Sequence, residues 1–407
     1  MNFKYILLLF STLLLFSCEE DNNDNVCDPS PQFNIEEFIT QIETRLNSQT
    51  IIGYQFAVNQ DGNYYDDQSM GLARHDFDPG GPVPITQSTR FNTASIAKFI
   101  AAIVLVNALE DNNISLDWDF IDYLPTSWHD KAHFQHQYTF RELLTHQTGI
   151  KFINPSGTSQ SPGRVQSEAQ MLEALMAPPD PGLIGEYQNG NFNLVRVLIG
   201  EIVYSLEVNE EGEYANNTVC TDKYFEYLEQ KIIFPLSLTC PSSAEEVNSY
   251  YSSTPYPYAY QYPFDSTFVD ATGSLGWAHS NNPYTTSGAA GLMLSAMEIA
   301  KIAANLKHDN TNLIISPSGR DDILEFELGL YNSLSGENGR YKCKRGTRGP
   351  DGSSTANPPT CCDRAIQSIL MFFPNGVEAV IITNSRHNTM HTLLRDAYDA
   401  SFVNPCI

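Results

Sequence analysis

Apolar residues recur at helical spacing over residues 33–47, where Phe33, Ile35, Phe38, Ile39, Ile42 and Leu46 share one side, predicting an amphipathic first helix. The period then changes. Residues 51–58 and the stretch around Tyr64 flank Asp61-Gly62, the pattern of a β-hairpin with a tight turn. After a loop near Gly80-Gly81-Pro82, residues 96–109 are apolar on nearly every side, predicting a buried helix that Glu110-Asp111-Asn112-Asn113 closes as a turn. From Ser115 to about Tyr284, short helical patterns alternate with loops rich in Pro, Tyr, Ser and Asn. Residues 250–263 carry neither period and read as a self-packed aromatic loop. Beyond Gly288 the pattern predicts a helix at 296–306, strands at 326–331, 339–344, 366–373 and 379–383, and a last helix at 390–402. Helices and strands at both ends of a helical middle predict an α/β (α+β) domain built from 33–110 and 285–407, with a mostly helical domain, 111–284, inserted.

The amino terminus adds a location. Asn2 and Lys4 precede an apolar stretch, 5–16, too short to span a bilayer and of signal-peptide length. It ends in Leu15-Phe16-Ser17-Cys18, which resembles the lipobox of bacterial lipoproteins, with Phe16 where a small or aliphatic residue is usual. This predicts a signal peptide over 1–17, lipidation of Cys18 and an acidic tether over 18–32, which begins Glu19-Glu20-Asp21-Asn22-Asn23-Asp24-Asn25. The competing reading is an ordinary secretory peptide with an incidental cysteine. The acidic run after Cys18 resembles a surface-export signal, so the expected place is the bacterial outer membrane, facing periplasm or cell surface, through an N-terminal lipid anchor.

Composition narrows the partners. The 407 residues carry 48 Asp and Glu against 23 Lys and Arg, a formal charge of −25, which argues against nucleic acid, whose backbone selects clustered Lys and Arg. Seven cysteines besides Cys18 would lie in an oxidising compartment: Cys27, Cys220, Cys240, Cys343, Cys361, Cys362 and Cys406. Cys220 with Cys240, Cys343 with Cys361 or Cys362, and Cys27 with Cys406 are the candidate bridges, and an odd number leaves one thiol over. No CxxC pair, phosphate loop or H-E-x-x-H occurs. His129, His133 and His136 have a spacing that could place three zinc ligands on one helical face, but beside Trp128 and Asp130 they read better as a solvated linker. No metal and no cofactor is expected.

Ser95-Ile96-Ala97-Lys98 carries the candidate chemistry. A serine at the first turn of a buried helix sits near the positive end of the helix dipole, and a lysine three residues on shares its face. Burial lowers the lysine pKa and fits it to act as a base near neutrality. S-x-x-K alone arises often by chance, usually with an exposed lysine, but this helix is too apolar for that.

Here the sequence resembles the serine β-lactamase and penicillin-binding-protein superfamily, in its class C β-lactamase-related, D-alanyl-D-alanine carboxypeptidase-like branch. Residues 91–98 look like the F-x-x-A-S-x-x-K block of that branch, 114–117 and 123–125 its L-D and Y-L-P blocks, and 139–149 its I-T-x-R-x-L-L-x-H-x-S-G signature. Residues 234–236 resemble P-L-G-M with Ser237 in place of glycine, and 289–295 resemble A-G-G-L-x-S. The resemblance implies a β-lactamase/transpeptidase-like fold, an antiparallel sheet flanked by helices from both chain ends. It implies that Tyr187-Gln188-Asn189 is the Y-x-N element, with Tyr187 relaying a proton and Asn189 bonding Lys98 or the substrate carbonyl. The third element falls on Lys344-Arg345-Gly346-Thr347. There Lys344 would supply positive charge for a substrate carboxylate or to lower the Tyr187 pKa. Gly346 and Arg345 would face substrate, and the N–H groups of Ser95 and Thr347 would form the oxyanion hole. Arg345 departs from the usual small hydroxyl residue. His146 is structural in the matched signature, on a helix.

The expected activity is therefore that of a serine hydrolase acting through a Ser95 acyl-enzyme on the amide, ester or β-lactam carbonyl of a small-molecule or peptide acyl substrate. The alternative is a surface lipoprotein of the same fold that binds a peptide or glycan without turnover.

Overall fold

The computed structural model describes residues 30–129, 131, 138–152, 167–206, 218–253, 255–262, 275–279, 282–331, 333–349, 364–387 and 389–406. The predicted signal peptide, Cys18, most of the tether, Cys27, His133, His136, Cys361 and Cys362 lie outside them.

In chain order the strands are β1 (Gln32–Phe33), β2 (Gly53–Gln60), β3 (Asn63–Arg74), β4 (Val83–Pro84), β5 (Phe91–Asn92), β6 (Met293–Leu294), β7 (Leu334–Gly336), β8 (Gly339–Arg348), β9 (Ile366–Phe372), β10 (Val377–Thr383) and β11 (Phe402–Val403). Seven form one antiparallel sheet in the order β4-β3-β2-β10-β9-β8-β7, so strands from the two halves of the sequence meet where β2 pairs with β10. The β2–β3 hairpin turns at Asp61 and Gly62, both at positive φ (51° and 79°), the geometry that makes Asp-Gly a tight-turn pair.

Strand alternation sorts the sheet into two faces. Tyr54, Phe56 and Val58 of β2, with Ile369, Met371, Ala379 and Ile381, pack under the helices Ile35–Asn47 and Met390–Asp399. Ala57, Leu370, Phe372, Val380 and Ile382 face the larger core, which holds the helices Ala97–Asp111 and Ala296–His308. Full burial of each of the larger of these side chains (Val, Leu, Ile, Met and Phe) contributes about 1.5–3 kcal/mol, so both faces are strongly held. β1 pairs with β11, bringing Gln32 beside Val403.

Several expectations are corrected. Residues 326–331 form no strand. Glu327 and Gly329 both sit at positive φ (55° and 70°), so the apolar alternation of Phe326, Leu328 and Leu330 belongs to a turning segment. Tyr250 to Ser253 are the last turn of the helix Ala244–Ser253, and the loop begins only beyond them. The strand carrying Lys344 runs on to Arg348, and the last helix stops at Asp399. Cys220 and Cys240 are buried thiols that do not bridge, the first within the helix Val219–Leu228 and the second after it. Cys343 is a buried thiol too, which removes its expected bridge to Cys361 or Cys362. Among the described residues no helix is long and apolar enough to cross a membrane, and no three metal-ligating side chains gather. His129 Nε2 instead lies 2.8 Å from the Leu124 carbonyl oxygen.

Candidate active site

Ser95 lies in a single 3-10 turn, Ala94–Ile96, that leads into the helix Ala97–Asp111. Ala94 has φ +48°, a region that costs an L-residue about 1–2 kcal/mol. The surroundings hold the turn there. Ala94 N–H donates to Asn92 Oδ1 (2.9 Å), Thr93 N–H to the Leu292 carbonyl (2.9 Å), and the Ser368 hydroxyl to the Thr93 carbonyl (2.9 Å). Backbone strain held by several bonds is what presents a side chain at a fixed angle.

Lys98 is wholly buried one turn on. Its Nζ donates to Ser95 Oγ (3.2 Å), Asn189 Oδ1 (2.7 Å) and the Ala289 carbonyl (2.6 Å). Burial, with the charge of Lys344, holds its pKa well below the ordinary lysine value. The Tyr187 hydroxyl donates to Ser95 Oγ (2.7 Å), and the Tyr187 ring has Lys98 Nζ and Lys344 Nζ each 4.9 Å from its centroid. Asn189 begins the helix Asn189–Tyr204, so the Y-x-N spacing hands one side chain to the serine and the other to the lysine.

Lys344 and Gly346 share the face of β8 that looks toward Ser95, because alternate residues of a strand do. At Gly346 an added Cβ would stand 2.5 Å from Ser368 Oγ, 2.7 Å from the Thr93 carbonyl oxygen and 2.9 Å from Ser95 N. Only glycine lets the two backbones meet there. β7 covers β8 only over Gly339 to Tyr341, and among the described residues no other strand pairs with the outer edge beyond. On that edge the Cys343 carbonyl accepts from Tyr331 N–H (3.1 Å), and the period of two turns the N–H of Thr347 the same way. Ser95 N thus lies close to Gly346, the residue before Thr347. The side chain of Arg345 alternates to the opposite face of β8, and its charge acts on Lys344 and Tyr331.

Two electrostatic expectations change. Lys344 does not lower the Tyr187 pKa: burial pushes that phenol up, outweighing its bond to Ser95, so it is neutral at physiological pH. Lys344 is itself lowered to about 7, chiefly by burial. Between about 7 and 10.5 the unfolded chain therefore binds the proton and the folded chain does not, so stability rises with pH across that window and the penalty is complete below it. Lys344→Met should accordingly raise the unfolding temperature most below pH 7, with the gain fading toward pH 10. Differential scanning calorimetry at pH 6 and pH 9.5 checks this, and a variant less stable than wild type at pH 6 contradicts it.

His146 lies two residues beyond the helix Phe140–Leu144, not on it, at φ +61°. Its Nδ1 accepts from Gln188 N–H (3.3 Å), and burial beside Lys344 and Lys98 holds it neutral. It makes no triad with Ser95. Its ring packs against Tyr187 (4.7 Å between centroids) and Tyr331 (5.3 Å). Sequence reasoning missed Tyr331, the Ala289 carbonyl and Ser368. The Gly329 that starts the Tyr331 turn was the available signal for the first. Nothing in the sequence marks a single carbonyl.

The family described as Beta-lactamase matches residues 38–318. No curated protein matches the chain. Among solved structures it is similar to FmtA from Staphylococcus aureus, with 16% identity over 94% of each chain and a TM-score of 0.60. It is also similar to a beta-lactamase/D-alanine carboxypeptidase from Pseudomonas syringae (13% identity, 88% of this chain and 98% of that one, TM-score 0.58). A third is a D-amino acid amidase from Ochrobactrum anthropi (15% identity, 90% and 96%, TM-score 0.58). At these identities the likeness is one of fold.

Proposed function

Because the chain belongs to the Beta-lactamase family, we propose that it is a serine acyl hydrolase in which Ser95 attacks the carbonyl of an amide, ester or β-lactam and water then releases the acyl group. One observation carries this reading: Ser95 Oγ is bonded at once to Lys98 Nζ and to the Tyr187 hydroxyl. A neutral lysine amine has two N–H bonds and one lone pair. Asn189 Oδ1 and the Ala289 carbonyl can only accept, so they take both N–H bonds and leave the lone pair facing Ser95. Lys98 then takes the Ser95 proton as Oγ forms its bond to the carbonyl carbon. The oxyanion is received by the N–H groups of Ser95 and Thr347. Tyr187, a neutral phenol within reach of Oγ, gives its proton to the departing nitrogen or oxygen and regains one from the Lys98 ammonium. In the second half a water attacks the ester carbonyl, and Ser95 leaves with its proton restored.

The reading as a binder without turnover is not supported, since an idle scaffold has no need to bury Lys98 against the hydroxyl of Ser95. The acyl group is told apart by probes. The soluble part is incubated with a fluorescent fluorophosphonate and a fluorescent penicillin. Labelling by both supports a β-lactam or D-amino-acid peptide substrate, labelling by the fluorophosphonate alone supports an ester, and labelling of the folded protein by neither removes the hydrolase reading.

We also propose that the protein lies outside the cell's inner membrane, held to the outer membrane by lipid on Cys18, with the acidic stretch after it as a tether. Support comes from the lipobox-like Leu15-Phe16-Ser17-Cys18. Cys18→Ala should abolish incorporation of radiolabelled palmitate and release the protein from the membrane fraction. Unchanged incorporation contradicts the anchor.

A further inference from the structure

The segment from Leu328 to Tyr331 lies in the chain between the helix Pro317–Glu325 and β7, and it touches the helix of Lys98, the loop before Tyr187 and the strand of Lys344. Gly329 lies at φ +70°, and a Cβ there would stand 2.5 Å from the Lys98 carbonyl oxygen, so the backbone presses on the first turn of the nucleophile's helix. Its N–H donates to the Leu144 carbonyl (3.1 Å), two residues before His146. Tyr331 N–H donates to the Cys343 carbonyl (3.1 Å), next to Lys344. The Tyr331 hydroxyl donates to the Gly185 carbonyl (3.1 Å), two residues before Tyr187. Its ring stands 5.3 Å from those of Tyr187 and His146, with Lys344 Nζ 5.8 Å from its centroid. Three rings thus meet pairwise, and one of them is the phenol bonded to Ser95.

With Ser95 as the nucleophile, a premise taken from the function proposed above, we propose that Tyr331 is a positioning residue that fixes the Tyr187 phenol between Lys98 and Lys344 and shuts water out from that group. The ring does the packing, and the hydroxyl ties the loop carrying Tyr187 to the strand carrying Lys344. The charged and titratable groups facing Tyr187 are Lys98 from the nucleophile's helix, Lys344 from β8, His146 from the loop after Leu144 and Tyr331 itself, with Glu186 beside it in the chain; Arg345, turned to the other face of β8, acts on Lys344 and Tyr331. Opening the cluster to water relaxes the burial that holds the lysine pKa values down, so the base must be titrated at higher pH before it works.

The test is the second-order rate of fluorophosphonate labelling as a function of pH, with folding followed by near-ultraviolet circular dichroism. Tyr331→Leu should lower the rate at pH 7 by about 10- to 100-fold and move the acidic limb of the profile upward by about one pH unit. Tyr331→Phe, which keeps the ring and loses the tie to Gly185, should lose roughly three- to tenfold with a smaller shift in the same direction. A folded Tyr331→Leu with the wild-type profile, or with a lower rate on an unmoved profile, overturns the assignment. If Tyr331→Leu does not fold, Tyr331→Phe decides: a wild-type rate and profile overturns it. Wild-type protein that takes no probe at all removes the nucleophile reading, and this assignment with it, which separates that failure from the first.

Discussion

Ser95→Ala should cut turnover on the order of 10^4-fold or more while leaving the fold intact. The substitution removes one oxygen atom at a half-buried position and leaves the turn's supports in place, since Asn92, Thr93 and Ser368 bond the backbone around it. Oxyanion stabilisation and substrate binding remain in such a variant, so residual rates above the uncatalysed one are expected, but no covalent intermediate can form. A Ser95→Ala protein with more than about 1% of wild-type turnover on any acyl substrate shows a different nucleophile.

Lys98→Met is the second large loss. Methionine fills a similar volume without the amine, and a general base in such a position contributes typically 10²- to 10⁴-fold, so turnover at pH 7 should fall by about that factor. The wild-type rate should fall as pH drops, because protonation occupies the lone pair that faces Ser95. In Lys98→Met that dependence should vanish, leaving a low and flat acidic limb. Stability is a separate matter: the variant no longer buries an amine, yet it leaves Asn189 Oδ1 and the Ala289 carbonyl without their donor, and the two effects oppose each other. A variant that retains the wild-type acidic limb would place the base elsewhere.

Much of this site was legible because its chemistry sits inside regular patterns. The run from Ile96 to Leu109 is too apolar for an exposed helix, so a lysine at position 98 had to be buried, and it is. Tyr187-Gln188-Asn189 stood just before an apolar helical stretch, and the helix Asn189–Tyr204 carries Asn189 at its start with Tyr187 just ahead of it. What stayed hidden depends on backbone direction. Phe326, Leu328 and Leu330 alternate as strand residues do, and only the positive φ at Glu327 and Gly329 makes that segment the turn that sets Tyr331 against Tyr187. Spacing cannot report where a side chain points, so Cys220 and Cys240 looked like a loop closed by a bridge although each is buried as a thiol. Likewise the sequence counts Arg345 with its neighbours, but a strand turns it to the other face. The depressed Lys344 and the raised Tyr187 follow from burial, which one sequence does not contain.

The central claim is that Ser95 forms an acyl-enzyme, and intact-mass spectrometry of the protein mixed with a slow acylating penicillin or an activated ester tests it most directly. A mass increase of one acyl group, mapped by proteolysis to the peptide holding Ser95 and absent from Ser95→Ala, is the predicted result. An adduct on another residue, or hydrolysis of either compound that continues undiminished in Ser95→Ala, would contradict it.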